Sequence, residues 1–385
     1  MIERMTGQEL VEMVRRVFVP RPEEKRLALL VDLPDAKVGD DPAWRARREI
    51  ALEWSRELQG RAQDLGLATS LVLYGNVHTN NGDLPEHAWI HGGGPLPAAV
   101  EDLDPATALP LAQVYADHPI LLAPTKFSAT APLKMAAKRH PIRAATMPGF
   151  GAKMIPALRL DYTEINRRVH LLKDLLDRAE GAEFRFRHPQ GDCALHLDLR
   201  HRTAHASGGL LPEPGVAGNL PSGEAYIVPY EGELPGDPSR TEGELPVQFG
   251  AEVVRYRIAA NRAVEVLSEG PESAREAELL AREPAYGNMA ELGRGVLAHF
   301  GVKPIGVVLL EEKLGLHIAF GRSEHFGDQV GPSAFSTADA VVHIDRVYVP
   351  EVMPAVQVLS MHLLLAGGSR VEMLKNTAYT LDFGS

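Results

Sequence analysis

The run Leu27-Ala28-Leu29-Leu30-Val31-Asp32 decides how the first half of this chain reads. It is short, apolar and β-like, and Asp41-Pro42 follows it as an N-cap with proline at the first helical position. The segment Ala43 to Leu65 then carries Trp44, Ile50, Leu52, Trp54, Leu58 and Leu65 among charges at near-helical spacing. Thr69 to Tyr74 (TSLVLY) reads as the next strand. Ile120 to Ala123 reads as another, ahead of a helical stretch beginning near Ala131. Strands alternating with helical patterns imply crossovers and a parallel sheet, so the first half is an α/β domain.

Outward from there the pattern changes. Tyr162 to Ala179 is an amphipathic helix with Ile165, Val169, Leu172, Leu175 and Leu176 on one face, capped by Asp161 or Thr163. Beyond it, Phe184–Phe186, Ala194–Leu199, Tyr226–Pro229, Val247–Phe249, Glu252–Ile258 and Arg262–Val266 are short β-like runs between turns. The second half is therefore an α+β, strand-rich and largely antiparallel domain. We set the boundary near residue 180, giving domains 1–180 and 181–385. A chain of 385 residues has room for two to three domains at about 150 residues each. The Gly/Pro-rich stretch Gly208 to Gly223 gives the weakest pattern.

The formal net charge of −11 gives no support to a nucleic-acid partner, because phosphate binding needs a basic face. Cys193 is the sole cysteine, which excludes an intrachain disulfide or a thiolate cluster, and it reads as a small buried apolar residue. Metal binding would draw on 15 histidines and 51 acids. The N-terminus lacks the apolar core of a signal peptide, and no apolar run approaches the ~20 residues that span a bilayer. A soluble cytoplasmic protein with no membrane partner is expected.

Several motifs fall away on inspection. His91-Gly92-Gly93-Gly94 has no G-x-S-x-G partner. Gly149-Phe150-Gly151 lacks the third glycine of a dinucleotide loop, and neither a Walker lysine nor an H-E-x-x-H helix occurs. Asn76 to Gly94 reads as a surface loop, with a substrate loop or lid as the second reading.

The second half holds the informative residues. His343 and Asp345 sit two apart in a strand-like run and so project from one face, a two-point clamp for a divalent cation. His317 begins the strand Leu316-His317-Ile318-Ala319-Phe320-Gly321 after the acids Glu311 and Glu312. Glu224 ends the turn Gly218-Asn219-Leu220-Pro221-Ser222-Gly223. Glu291 lies in Asn288-Met289-Ala290-Glu291-Leu292-Gly293, where a helix is expected to begin.

Taken in order, N-L-P-S-G-E, N-x-A-E-L-G, E-K-x-x-x-H-I-A-F-G and H-x-D resemble the thermophilic metallo-aminopeptidase family called aminopeptidase T, or family M29. The resemblance runs from about Thr146 to Asp345, roughly half the chain. It implies two divalent metals, Zn, Co or Mn, held by Glu224, Glu291, Glu312, His317, His343 and Asp345, with Glu312 a ligand or the general base. It also implies a peptide substrate and a homodimer. A metal-activated water would attack the scissile bond, a carboxylate taking its proton.

One position departs from the family. A catalytic tyrosine is expected seven residues after His317, where this chain has Glu324. An ionised carboxylate only accepts hydrogen bonds, so His325 or Arg322 supplies the donor, or Glu324 is protonated, or the reaction differs. A related branch of the fold comprises Fe(II)-dependent dioxygenases that open hydroxypyridine rings, for which His317, His343 and Asp345 would suit one iron. A non-catalytic protein binding a metal or small molecule is the third reading.

Overall fold

The computed structural model describes residues 3–384, apart from the Ala338 side chain. The chain divides into two compact units, one of residues 3–166 with 209–222 and the other of 167–208 with 223–384.

In the first unit the strands are β1 (Arg26–Leu33), β2 (Ala68–Gly75), β3 (His87–Ile90), β4 (Leu109–Pro110), β5 (Ile120–Ala123), β6 (Arg143–Thr146) and β10 (Val216–Asn219). Their order in the sheet is β10-β6-β5-β1-β2-β3-β4. The pairs from β10 to β2 are parallel, and β3 and β4 add an antiparallel edge. Seven of the eight residues of β1 are buried, as a central parallel strand covered on both faces requires. The helix Pro42–Gly60 starts where Asp41 Oδ1 accepts from Trp44 N at 2.8 Å, with proline in the first turn. Thr130–Ala137 is also a helix; the helix Tyr162–Leu176 begins in this unit and has most of its residues in the second, and at its start Asp161 Oδ1 accepts from Thr163 N at 2.9 Å.

Two segments depart from the sequence reading. Asn76–Gly94 is not loop throughout, because β3 pairs with the edge of β2. The Gly/Pro-rich stretch holds β10, which pairs with β6 of the α/β unit. Arg143 shows why that return is fixed. Its side chain is fully buried, pairs with Glu24 and donates to Pro212 O at 3.0 Å.

The second unit is almost wholly antiparallel. An eight-stranded sheet is ordered β14 (Arg262–Val266), β13 (Glu252–Ala259), β12 (Glu242–Phe249), β8 (Gly191–Asp198), β7 (Ala179–His188), β18 (Gln357–Leu365), β19 (Arg370–Lys375) and β20 (Ala378–Tyr379). A five-stranded sheet is ordered β17 (His343–Val347), β16 (Leu316–Gly321), β15 (Met289–Gly295), β11 (Glu224–Ile227) and β9 (His205–Ser207). Glu291 therefore stands within a strand and not at a helix start. A single 3-10 turn, Pro284–Gly287, ends just before it. Asn288 then donates from Nδ2 to Glu231 Oε1 at 2.8 Å and to Gly321 O at 3.0 Å, and the chain enters β15. Among the described residues no helix is long and apolar enough to cross a membrane.

Candidate metal centre

The five-stranded sheet places the candidate ligands by register alone. Residues directly opposite one another in an antiparallel pair share a face. Glu224 faces Gly295, Glu291 faces Ala319, His317 faces Gly293, His343 faces Gly321 and Asp345 faces Ala319. Each of these five candidate ligands thus has glycine or alanine as a cross-strand neighbour, which leaves space above the sheet for the longer side chains. At Gly293 the need is absolute: a Cβ there would lie 1.8 Å from His317 Nε2.

Glu291 is the hub. Its Oε1 lies 3.1 Å from His317 Nε2, and its Oε2 lies 3.1 Å from His343 Nε2. Glu224 Oε2 is 3.5 Å from His317 Nε2, and Asp345 Oδ1 is 3.6 Å from His343 Nε2. Two three-donor groups result, Glu224–Glu291–His317 and Glu291–His343–Asp345, each with donor atoms within 4.8 Å of one another. His343 Nδ1 donates to Arg322 O at 2.8 Å, which turns Nε2 toward the acids, the usual way a ligating imidazole is oriented.

Glu312 enters from the 3-10 turn Glu312–Leu314 that precedes β16. Lys313, fully buried, ion-pairs with both Glu224 and Glu312. Burial lowers the Lys313 ammonium, but the Glu224 and Glu312 charges override it, so the lysine stays charged. Burial pushes the Glu312 carboxyl well above its usual range, with Lys313 opposing and Asp345 and Glu224 adding to the rise. Glu312 can therefore hold a proton here. Glu291 goes the other way: burial would raise it, and hydrogen bonds from His317 and His343 outweigh that and hold it at about 2. His317, lowered by burial but raised more by Glu291, sits at about 9.

The donor set fits divalent cations. Glu224 Oε2 and Asp345 Oδ1 are buried oxygens with no hydrogen-bond partner among the described residues. Such atoms are ones that an ion or water satisfies, and a carboxylate–imidazole set is ligand chemistry for Zn, Mn or Fe. These buried His, Glu and Asp groups can bind a metal ion.

No protein-family model matches the chain, and no curated protein matches its sequence. Solved structures do match. The 2,5-dihydroxypyridine dioxygenase from Pseudomonas putida KT2440 is similar with a TM-score of 0.61 and 14% identity, over 98% of this chain and 99% of that one. Wild-type AmpT from Thermus thermophilus is similar with a TM-score of 0.53 and 16% identity, over 97% and 99%. The likeness is one of fold.

The two further candidates lie on the turn after β16. Glu324 is half exposed, and its Oε2 accepts from Arg322 at 2.6 and 3.2 Å. The His325 ring centre is 5.0 Å from that of His343, perpendicular to it, and 3.8 Å from that of Phe326. Sequence reasoning passed over Lys313 and Tyr226. Tyr226 is on the ligand face two residues from Glu224, stacked on His205 at 5.0 Å. Burial raises its phenol, and the Glu291 and Glu224 charges raise it further. The signal for Tyr226 was its spacing of two from a candidate ligand on a strand. For Lys313 it was a cation between a metal-type acid and a buried strand.

Proposed function

We propose that this chain is a metal-dependent aminopeptidase releasing N-terminal residues from peptides, with a two-metal site built on Glu224, Glu291, Glu312, His317, His343 and Asp345. The observation that carries the reading is the sharing of Glu291 between two donor groups, one oxygen toward each histidine. A single metal would leave one of those groups without a purpose. The fold likeness to AmpT supports the same reading. When bound, the cations would supply an acidified water and polarise a carbonyl.

The chain's own residues divide the remaining work. Glu312, whose burial favours the protonated form, accepts and returns the proton at its carboxylate. Lys313 holds Glu224 and Glu312 in place and offsets their charge. Glu324, engaged by Arg322, is an acceptor and so does not replace a phenol. His325 beside His343 and Tyr226 beside Glu224 are the donors on hand for a developing oxyanion. The enzyme acts as a cytoplasmic homodimer in this reading, which sedimentation would test.

A specific observation favours a second reading. The dioxygenase neighbour covers the chain as fully as AmpT does, at the higher TM-score, and the turn after β16 bears Glu324 where a peptidase phenol is expected. Fe(II) on His317, His343 and Asp345, with oxygen-dependent ring opening, is that alternative.

Metal content after dialysis against Zn, Co, Mn or anaerobic Fe(II) separates the two. The peptidase reading expects two ions per chain and hydrolysis of aminoacyl anilides. One ion, with oxygen uptake only when iron is loaded, would overturn it. Glu291→Gln and His343→Ala should each lose metal while retaining the far-UV spectrum.

A further inference from the structure

The hairpin of β7 and β8 gathers a second set of ligand-type side chains, on the eight-stranded sheet and apart from the face that carries Glu291. His188 ends β7, Cys193 lies in β8 and Glu244 lies in β12. One donor atom from each falls within 4.8 Å of the other two. We propose that His188, Cys193 and Glu244 form a separate divalent-metal site for a thiophilic cation of the zinc class, binding β12 to the β7–β8 hairpin.

The imidazole carries the argument. The His188 side chain is 2% exposed, so it is sealed from solvent. Its Nδ1 makes two contacts, the shorter at 2.8 Å to Gln190 Oε1 and the longer at 3.3 Å from Gln190 N. In the tautomer that a ligating histidine takes, Nδ1–H donates to Gln190 Oε1. Nε2 is then left with a bare lone pair. It is buried and has no hydrogen-bond partner among the described residues, and it lies 3.5 Å from Glu244 Oε1. A buried acceptor lacking a donor, next to a thiol and a carboxylate, has the chemistry of an incomplete coordination shell.

Cys193 and Glu244 complete the set. Burial, with the Glu244 charge adding to it, pushes the Cys193 thiol up to about 12, so the sulfur is inert unless a cation displaces its proton. On binding, the S–H bond breaks, the proton leaves to solvent and the sulfur's electron pair is given to the cation. Arg255 Nη1 lies 3.3 Å from Glu244 Oε1 and pairs with that carboxylate. Tetrahedral zinc ligands stand roughly 3.5 Å apart, the separation that His188 Nε2 and Glu244 Oε1 already have.

The single cysteine gives the test an unambiguous signature. Cobalt(II) titrated into the metal-free full-length protein should raise a thiolate-to-cobalt charge-transfer band that only Cys193 can produce. The band should be absent in Cys193→Ser, form at least tenfold more weakly in His188→Ala and Glu244→Gln, and persist in Glu291→Gln. Persistence in Glu291→Gln separates this site from the one on the five-stranded sheet. Two results would overturn the proposal: no such band in the wild-type protein at saturating cobalt, or a band of wild-type affinity in both His188→Ala and Glu244→Gln.

Discussion

Single side chains on the ligand face have consequences that can be read off the geometry. Gly293→Ala sets a methyl carbon where the His317 ring lies, 1.8 Å from Nε2. Overpacking of this kind costs ~1–3 kcal/mol, and the ring must swing away from Glu291 to relieve it. The variant should stay folded, lose about that much stability in urea titration, and bind cations at least tenfold more weakly by calorimetry. Lys313→Met makes a different error. It removes the buried ammonium between Glu224 and Glu312, and breaking a buried ion pair from one side costs ~3–5 kcal/mol. A divalent cation can restore positive charge at the same carboxylates, so the loss should be large in chelator and smaller in zinc. Equal losses in both buffers would mean that Lys313 and the cation do not share those acids.

Elements rather than residues decide how the turn after β16 is held, and here a pH dependence follows. Glu231 accepts from Asn288 Nδ2 at 2.8 Å, Ser323 Oγ at 2.6 Å and Gln329 N at 2.8 Å, so one carboxylate ties the start of β15 to both ends of the turn bearing Glu324, His325 and Phe326. Asp328 lies on that turn, 3.1 Å from Arg202. Burial raises its carboxyl from 3.8 to about 6, with Arg202 opposing and Glu231 and Glu233 adding to the rise. An acid with a raised folded pKa binds its proton more tightly folded than unfolded, so its protonation stabilises the fold at low pH. That contribution declines as pH climbs from the unfolded value through the folded one. Asp328→Asn should therefore gain on the wild type in chemical denaturation between pH 3.8 and about 6, and a flat difference would show the carboxyl to be unperturbed. The same elements mark how far the sequence could be read. The strands bearing His317, His343 and Asp345 were legible because their short runs of apolar and β-branched residues are local. Glu291 was not, because Asn288–Gly293 has no alternating pattern, and what makes it a strand is pairing on both sides with β11 and β16. The turn bearing Glu324 was legible as a departure from a motif, but its attachment to Glu231 joins residues about ninety positions apart.

At the scale of the whole molecule, the chain order and the compact units do not coincide. The alternation of strand and helix gave the α/β architecture, since β1, β2 and β5 are apolar, buried runs with helical stretches between them. It could not give β10, a four-residue edge strand reading Val-Ala-Gly-Asn, only partly buried and set among glycine and proline. Its partner β6 lies some seventy residues earlier. The physical consequence is testable. A fragment of residues 1–166 leaves β6 as an open parallel edge and strips Arg143 of its bond to Pro212 O, although the arginine is fully buried. Unpaired edges template self-association, and a buried cation that loses a partner destabilises its surroundings. That fragment should aggregate or elute broadly on size exclusion. The same fragment joined through a flexible linker to residues 209–222 restores the β6–β10 ladder and should elute as one sharp, folded species by circular dichroism. If residues 1–166 alone are equally monomeric and equally resistant to urea, then β10 rests on the sheet without completing it, and the α/β unit is closed by the first part of the chain alone.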